Sequence, residues 1–349
     1  MKRRPNLPLI RSGVFILATF FVALPPALGA VARASANTLA PKSTQAHEIF
    51  SLAMFALAIV GGIFVVVESL LTYAVIKFRR RKTDPDQEPP QVYGSLRIEL
   101  AWTVIPILIV IVLFLTTARI IFAVQDPPPP KNGDLQVTVV GHQFWWEFRY
   151  PTLGIVTANE LHIPVSTRQD PDPTYLTLLS ADVDHSFWVP ELAGKTDLIP
   201  NHPNHMWISP HKPGVYYGQC AQFCGTGHAN MLLTVYVDTP AQFAAWVKSQ
   251  RRPAVDDPAV AAGRHIFEMD ACANCHTING TTAHGTYGPD LTHLMSRATI
   301  GAGVAANTAA NLREWVKNPN SLKPGAHMPA MQLTNQQIVE VVAYLTTLH

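Results

Sequence analysis

Four cysteines in this 349-residue chain form two close pairs, each beside further side chains that bind metals. The first pair, Cys220 and Cys224, is followed by His228 and Met231 at spacings of four and three. Thiolate, imidazole and thioether groups are soft ligands that select copper over harder ions. A single blue-copper site needs one thiolate, whereas two thiolates in one loop permit two coppers bridged by both sulfurs. The alternative is a small disulfide in an oxidising compartment.

A bridged copper pair needs one imidazole on each metal, so a second histidine must come from elsewhere in the chain. His185 stands at the end of a strand-like run and is the candidate. The neighbouring Asp184 carboxylate is expected to orient this ligand or to lower the redox potential of the site.

The second pair belongs to Cys272-Ala-Asn-Cys-His276, the C-x-x-C-H signature of c-type haem attachment. Cys272 and Cys275 are expected to bond the two vinyl groups, while His276 binds the iron. A methionine as sixth ligand raises the potential of such a haem. Met328 is the candidate for that ligand. Three further residues stay open as alternatives: Met331, Met295 and His327.

The composition excludes a disordered chain, favours membrane segments and argues against a nucleic-acid-binding protein. Only 14% of the residues are charged and 48% are hydrophobic, whereas soluble chains carry about 25% charged residues. The formal net charge is +2, which argues against binding nucleic acid by bulk charge.

Two stretches are apolar enough to cross a bilayer. Ile49–Val67 and Leu100–Ala118 are uncharged runs that each reach about 28 Å as a helix. We expect spans at about 49–76 and 98–122 within a hairpin domain at 37–126. The connection between them is rich in lysine and arginine, so the positive-inside rule places residues 77–97 in the cytoplasm.

The N-terminus resembles a secretory signal peptide. Lys2, Arg3 and Arg4 precede an apolar run, and small residues follow it. Cleavage after Ala30 or after Ala36 is possible, and we assign residues 1–36 to this peptide. An uncleaved membrane anchor is the alternative, although the run is shorter than the ~20 residues that a span needs.

The chain after the second predicted span divides into a strand-rich and a helix-rich domain. Short β-branched runs punctuated by proline and glycine fill residues 135–238 and predict an antiparallel sandwich. A polar linker at 250–258 precedes a helical pattern, with Thr334 as an N-cap of the last helix. We place the sandwich at 127–250 and the helical domain at 251–349.

The strand-rich part resembles the CuA domain of cytochrome c oxidase subunit II. The resemblance extends from the first span to about residue 240 and is carried, besides the cysteine loop, by GHQFWWE at 141–147, DVDHSFWVP at 182–190, KTDLIP at 195–200 and ELAWTVIP at 99–106. It implies a cupredoxin-like fold. It also implies a copper pair held by six residues, Gln222 acting through its backbone carbonyl: His185, Cys220, Gln222, Cys224, His228 and Met231.

Three positions depart from the family pattern. Gln222 replaces a glutamate whose carboxylate reaches a magnesium shared with the catalytic subunit, which puts that magnesium site in doubt. Asp184 stands where an apolar residue is common. The tryptophan that receives electrons in the family falls on Phe144, so the adjacent Trp145 becomes the candidate electron-transfer aromatic. Trp146 is equally well interpreted as sandwich core.

Glu99 begins the second span on the cytoplasmic side and matches the family's E-x-x-W-T-x-x-P pattern. The resemblance implies that it starts the K proton pathway into the catalytic subunit. The alternative is an interfacial charge that ends the span. Glu68, in the first span, has no such match and is interpreted as an interfacial or subunit-contact residue.

Residues 256–349 resemble a small cytochrome c. KPGAHMP at 323–329 is similar to the loop that carries the axial methionine, and GPDL at 288–291 to the turn whose proline carbonyl orients the haem-binding histidine. Gly263 and Phe267 fit the N-terminal helix, which the C-terminal helix containing Tyr344 would cross. The fold class is therefore a multidomain membrane protein with a two-helix transmembrane hairpin, an all-β sandwich and an all-α cytochrome c domain.

Together the resemblances imply the electron-transfer subunit of a proton-pumping terminal oxidase in a bacterial cell membrane, with both redox domains on the outer side. Electrons from cytochrome c or another donor would pass through haem c and CuA to catalytic subunit I, which reduces oxygen to water. Subunit III is a further expected partner, and we expect no oxygen-reducing site in this chain. A CuA-containing nitric oxide reductase subunit is the alternative. A quinol oxidase subunit would lack the copper ligands, and a copper-delivery or metal-sensing protein would need no haem.

Overall fold

The computed structural model describes residues 36–79, 91, 93–131, 133–166, 172–269 and 272–349. The expected signal peptide, apart from Ala36, lies outside the described residues, as do Arg80, Arg81 and Lys82 of the basic connection.

Two long helices form the membrane part, α1 (Thr44–Lys77) and α2 (Leu96–Gln125). Their mean hydropathies of 2.7 and 2.8 over 18-residue windows and their lengths suffice to cross a membrane. They pack against each other and expose apolar side chains along their length, as lipid contact requires. The Ser43 hydroxyl caps α1 by accepting a hydrogen bond from the Ala46 amide at 3.1 Å.

Ten strands form a sandwich of two five-stranded sheets: β1 (Gln136–His142), β2 (Trp145–Tyr150), β3 (Ile155–Ala158), β4 (Glu160–Pro164), β5 (Thr174–Ser180), β6 (His185–Trp188), β7 (Thr196–Leu198), β8 (Asn204–Ile208), β9 (Gly214–Cys220) and β10 (Leu232–Asp238). The sheet orders are β3-β2-β1-β5-β8 and β4-β10-β9-β6-β7. Alternating side chains from both sheets fill one core between them.

The expectation of a wholly antiparallel sandwich is wrong at two strand pairs. β1 runs parallel to β5, and β4 runs parallel to β10, while the remaining pairs are antiparallel. Parallel neighbours cannot be joined by a tight hairpin. The chain between the parallel partners therefore passes through the other sheet, whereas the loop that bears the cysteines joins two antiparallel neighbours of one sheet, β9 and β10.

The C-terminal part begins after helix α3 (Pro240–Gln250), which has a capping box at Thr239. Five helices and a two-stranded ribbon follow: α4 (Ala261–Met269), α5 (Cys272–Cys275), β11 (Thr299–Ile300), β12 (Ala305–Ala306), α6 (Ala309–Lys317), α7 (Pro319–Leu322) and α8 (Asn335–Leu345). The predicted N-cap of α8 is confirmed, since Thr334 and Gln337 form a capping box there.

Helices α4 and α8 cross at Gly263, as the resemblance to cytochrome c implies. A Cβ at this position would lie 1.9 Å from the Glu340 carbonyl oxygen, so only glycine permits this approach. Next to the crossing, the rings of Phe267 and Tyr344 meet edge to face at 6.0 Å. Both side chains are buried in a second apolar core that also contains Leu291 and Leu312.

Hydrogen bonds seat the sandwich on the ends of both long helices. The Trp207 indole donates to the Val124 carbonyl at the end of α2 at 2.8 Å. At the start of α1, the Thr44 amide donates to the Ser209 carbonyl at 3.2 Å, and the Ser43 hydroxyl donates to the Leu192 carbonyl. The sandwich is thus tied to the hairpin at the start of α1 and at the end of α2.

Candidate metal and haem centres

The loop between β9 and β10 gathers the candidate copper ligands. Cys220 is the last residue of β9, Cys224 and His228 follow in the loop, and Met231 stands directly before β10. His185 begins β6, which pairs with β9. Pairing of these strands therefore brings a residue 35 positions upstream to the cysteines.

Distances in this cluster match a set of soft donors around a common centre. The Cys220 and Cys224 sulfurs are 3.9 Å apart, well beyond the ~2.05 Å of a disulfide, which the structure therefore does not form. The His185 Nδ1 lies 3.9 Å from the Cys220 sulfur, and the His228 Nδ1 lies 3.7 Å from the Cys224 sulfur.

Two further donors complete the predicted set. The Met231 Sδ is 3.9 Å from the Cys224 sulfur, and the Cys220 sulfur lies 3.2 Å from the Gln222 carbonyl oxygen. Donor atoms of His185, Cys220 and Cys224 all lie within 4.8 Å of one another. The sulfur and imidazole chemistry of this buried cluster fits copper.

Electrostatics favour a thiolate here. A hydrogen bond from Cys224, strong enough to outweigh the opposing effect of burial, lowers the pKa of the Cys220 thiol, and a hydrogen bond with His185 lowers it further. The thiolate is the form of cysteine that binds metals.

The carboxylate that orients His185 is Asp182, not the expected Asp184. Asp182 Oδ1 lies 2.8 Å from His185 Nε2, on the side of the ring opposite the Nδ1 that faces the cysteines. Burial alone would raise the pKa of Asp182. Hydrogen bonds from His185 and from the Gln143 and Val183 amides lower it below its ordinary value, so this carboxylate stays charged. Sequence reasoning missed Asp182, which is exposed like Asp184 but reaches the His185 ring.

Aromatic side chains enclose the cluster. Trp146 is fully buried, its indole donates to the Met231 carbonyl at 3.5 Å, and its ring lies 6.1 Å from that of His185. Phe144 packs against residues 221–231, the loop between β9 and β10 that we call the copper loop. The contact is so close that a Cβ at Gly227 would lie 2.4 Å from the Phe144 ring. Trp145 instead stacks on His142 with ring centroids 4.2 Å apart.

The haem-attachment signature forms the short helix α5 and the residue after it. His276 Nδ1 lies 2.8 Å from the Pro289 carbonyl oxygen, the contact that the GPDL turn predicts. If Nδ1 carries the proton and donates it, Nε2 stays available to iron. Burial lowers the pKa of His276, which keeps the ring neutral as an iron ligand must be. A Cβ at Gly288 would lie 2.6 Å from this ring, so the turn closes directly over it.

An apolar cavity brings the haem candidates together. It is lined by both attachment cysteines and His276 and also by His327, Met328 and Met331. Phe267, Leu291 and Trp315 are among its apolar lining residues. A cavity with this lining and these ligands fits a covalently attached haem. Met295, the remaining alternative, packs against the domain core instead.

The sandwich contributes part of the wall of this cavity. His142, Gln143, Phe144 and Trp145 line it together with the residues of the helical domain. The Phe144 ring meets the His327 ring at 5.2 Å. Phe144 therefore lies between the copper loop and the loop of the candidate haem ligand, whereas Trp145 lines the cavity and stacks on His142.

Glu99 lies in the first turn of α2 and is exposed. Its Oε1 accepts a hydrogen bond from the Ser95 amide at 3.2 Å, so the carboxylate satisfies a backbone donor at the start of the helix. Glu68 is also exposed, within α1.

Comparison with known proteins yields three matching families along the chain. Residues 36–120 match the transmembrane domain of cytochrome c oxidase subunit II, and residues 159–237 match the periplasmic domain of the same subunit. Residues 260–349 match the cytochrome c family.

Relatives match along most of the chain. Cytochrome c oxidase subunit 2 of Alkalihalophilus pseudofirmus is 34% identical over 92% of this chain and 93% of its own length. The Bacillus subtilis subunit of the same description is 30% identical over 84% and 85%. The crystal structure of the periplasmic domain of subunit II of cytochrome oxidase from Bradyrhizobium japonicum is 28% identical, covers 35% of this chain and 96% of its own, and gives a TM-score of 0.32.

Proposed function

The chain belongs to the cytochrome c oxidase subunit II family and carries a cytochrome c domain, and we propose that it relays electrons from haem c through CuA to the catalytic subunit of a terminal oxidase. The observation that carries this proposal is the position of Phe144. Its ring contacts both the copper loop at Gly227 and His327, next to the candidate iron ligand.

The six residues around the cysteine loop would hold a binuclear copper site, and Cys272, Cys275, His276 and Met328 would hold the haem. When bound, each group accepts and releases one electron with little change of geometry. The protein's own contribution is positioning. Asp182 holds His185, the Pro289 carbonyl holds His276, and the buried Trp146 keeps water from the copper ligands.

The fused domain removes a bimolecular step from this relay. A tethered donor reaches an effective concentration on the order of millimolar when its linker is short. Here the polar linker follows α3 directly, so we expect electron transfer between the two domains not to depend on protein concentration.

We place the chain in a bacterial cell membrane, with residues 37–126 as the hairpin and residues 127–250 and 251–349 on the outer side. Its partners would be the catalytic subunit I, subunit III and an upstream donor such as cytochrome c. Oxygen reduction to water and proton pumping would take place in the partner, with Glu99 at the start of a proton pathway.

Metal content and spin resonance of the purified complex test this function. Each copy of the chain should hold two coppers and one covalent haem, and the spectrum should show one unpaired electron shared by both coppers. Cys220→Ser or Cys224→Ser should remove the shared-spin signal and leave the haem absorption band, because the two centres have separate ligands. A four-line, single-copper spectrum in the unmodified protein would contradict the binuclear assignment.

A further inference from the structure

A buried lysine joins the cytochrome domain to the sandwich. Lys323 follows α7 and is only 4% exposed. Its ammonium group donates to the Phe144 carbonyl of the sandwich at 2.6 Å and to the Gly301 carbonyl of its own domain at 2.9 Å. Among the described residues, no carboxylate lies within ion-pair distance of it. Burial lowers the pKa of Lys323 to about 7.

A buried carboxylate makes the reciprocal contact from the sandwich. Glu160 is the first residue of β4 and is 4% exposed. Its Oε1 accepts hydrogen bonds from the amides of Ala298 at 2.8 Å and Thr299 at 3.2 Å, both in the cytochrome domain. Burial raises the pKa of Glu160, and the attraction of nearby Arg297 partly offsets this effect.

Backbone contacts close the space between these two points. The Leu232 amide, next to the candidate ligand Met231, donates to the Ala302 carbonyl at 3.1 Å. A Cβ at Gly303 would lie 2.9 Å from Leu232, and one at Gly325 would lie 2.6 Å from the Thr226 hydroxyl of the copper loop. The two domains therefore meet in close van der Waals contact.

We propose that Lys323 and Glu160 form a two-point clasp that keeps the cytochrome domain permanently docked on the sandwich, so that electron transfer proceeds within one preformed interface. The proposal rests on the proposed relay function. A tether alone would allow the domain to dock and leave, whereas buried hydrogen-bonding groups are expensive to leave without their partners. Each of these two side chains reaches its hydrogen-bonding partners in the opposite domain only in the docked arrangement.

Permanent docking has a kinetic signature. Transient complexes between charged proteins weaken as salt screens their surface charges, but buried groups are screened much less. In the unmodified complex, the rate of haem-to-copper electron transfer should therefore be equal at roughly 10 mM and roughly 1 M salt. It should also be insensitive to added glycerol, since no diffusive docking step precedes it.

Two variants each remove one contact of the clasp: Lys323→Met and Glu160→Leu. The matched control is Lys317→Met, which changes an exposed lysine of the cytochrome domain. In purified complexes, each clasp variant should slow haem-to-copper transfer by about tenfold or more, because small displacements of reacting groups cost large factors in rate. The transfer should also become salt- and viscosity-dependent. Covalent haem, the methionine–iron band and the shared-spin copper signal should persist, and the control should behave as the unmodified protein.

Unchanged rates in both clasp variants, or a salt-dependent rate in the unmodified complex, would overturn the proposal. Amide hydrogen exchange of the unmodified protein provides a test that needs no variant. The Ala298 and Thr299 amides should exchange as slowly as core amides, and exchange as fast as in exposed loops would overturn the clasp. Absence of haem-to-copper transfer in the unmodified complex would instead refute the relay function. The amide exchange rates of Ala298 and Thr299 would then still show whether the clasp holds the two domains together.

Discussion

At the scale of single residues, Met328 is expected to be the sixth ligand of the haem iron. Met328→Ala should leave the haem attached, because Cys272 and Cys275 carry the thioether bonds. It should abolish the methionine–iron charge-transfer band, whereas Met331→Ala should retain it. Visible spectroscopy of both variants decides between the two methionines, which line the same cavity. Loss of the band only in Met331→Ala would assign the ligand to Met331.

Asp182 is expected to tune copper binding through His185. Asp182→Ala removes the acceptor 2.8 Å from His185 Nε2, so the ring loses its fixed orientation. Outer partners of metal ligands typically contribute about 10–100-fold in affinity, and we expect a loss of that size. Competition with a copper chelator would measure it. Asp184→Ala is the control and should bind copper as the unmodified protein does.

The ligand His185 could be predicted from the sequence, but the aspartate that contacts it could not, since Asp182 and not Asp184 has this role. Adjacency in the chain suggested Asp184, but β6 begins at His185 and a bend at 181–183 precedes it. The carboxylate that reaches the ring is that of Asp182, three residues upstream. The histidine itself was predictable from its chemistry, whereas its partner depends on the turn before β6.

At the scale of elements, the crossing of α4 and α8 should tolerate only glycine at position 263. Gly263→Ala places a methyl group against the Glu340 backbone, so the helices must separate. We expect a loss of about 1–3 kcal/mol in the free energy of unfolding of the cytochrome domain. Denaturant unfolding followed by the methionine–iron band measures it. Gly61→Ala, where an added Cβ meets no described atom within 4 Å, should leave this transition unchanged.

Local patterns predicted the elements better than their pairing. The Thr334 cap and the apolar helices depend on neighbouring residues or on a fixed spacing, so they were readable in the sequence. The glycine crossing joins distant segments and was expected only from the resemblance to cytochrome c. The parallel pairs β1–β5 and β4–β10 join segments far apart in the chain. A strand-like sequence pattern shows that a segment is extended. It does not show whether the adjacent strand in the sheet runs parallel or antiparallel to it. The contacts of Lys323 and Glu160 with the opposite domain were hidden for the same reason.

At the scale of the whole molecule, Glu99 should affect turnover without affecting electron transfer between the two outer centres. It lies at the start of α2, a helix of about 45 Å, and the sandwich follows the other end. Glu99→Ala should therefore slow oxygen consumption of the assembled oxidase and leave the reduction of CuA by the haem unchanged. Oxygen electrode measurements and flash-induced CuA reduction on the same preparation test both parts.

Two further variants separate a proton pathway from helix capping, since Glu99 also accepts a hydrogen bond from the Ser95 amide. Glu99→Gln keeps an acceptor for that amide but cannot carry a proton, so it should slow oxygen consumption as the alanine variant does. Glu99→Asp keeps the acid and should retain more activity. Full activity of the glutamine variant would show that Glu99 acts only as a capping residue of α2.

Hydrogen bonds fix the sandwich to the ends of both long helices, so the lipid bilayer can affect the orientation of the sandwich and of its candidate metal site. A hairpin whose apolar length exceeds the local hydrocarbon thickness accommodates the mismatch by tilting. Trp207 fixes the sandwich to the end of α2, and Ser43 and Thr44 fix it to the start of α1, so a tilt of the hairpin carries the sandwich with it. Acyl-chain length would thus set the angle at which the copper loop faces the partner subunit.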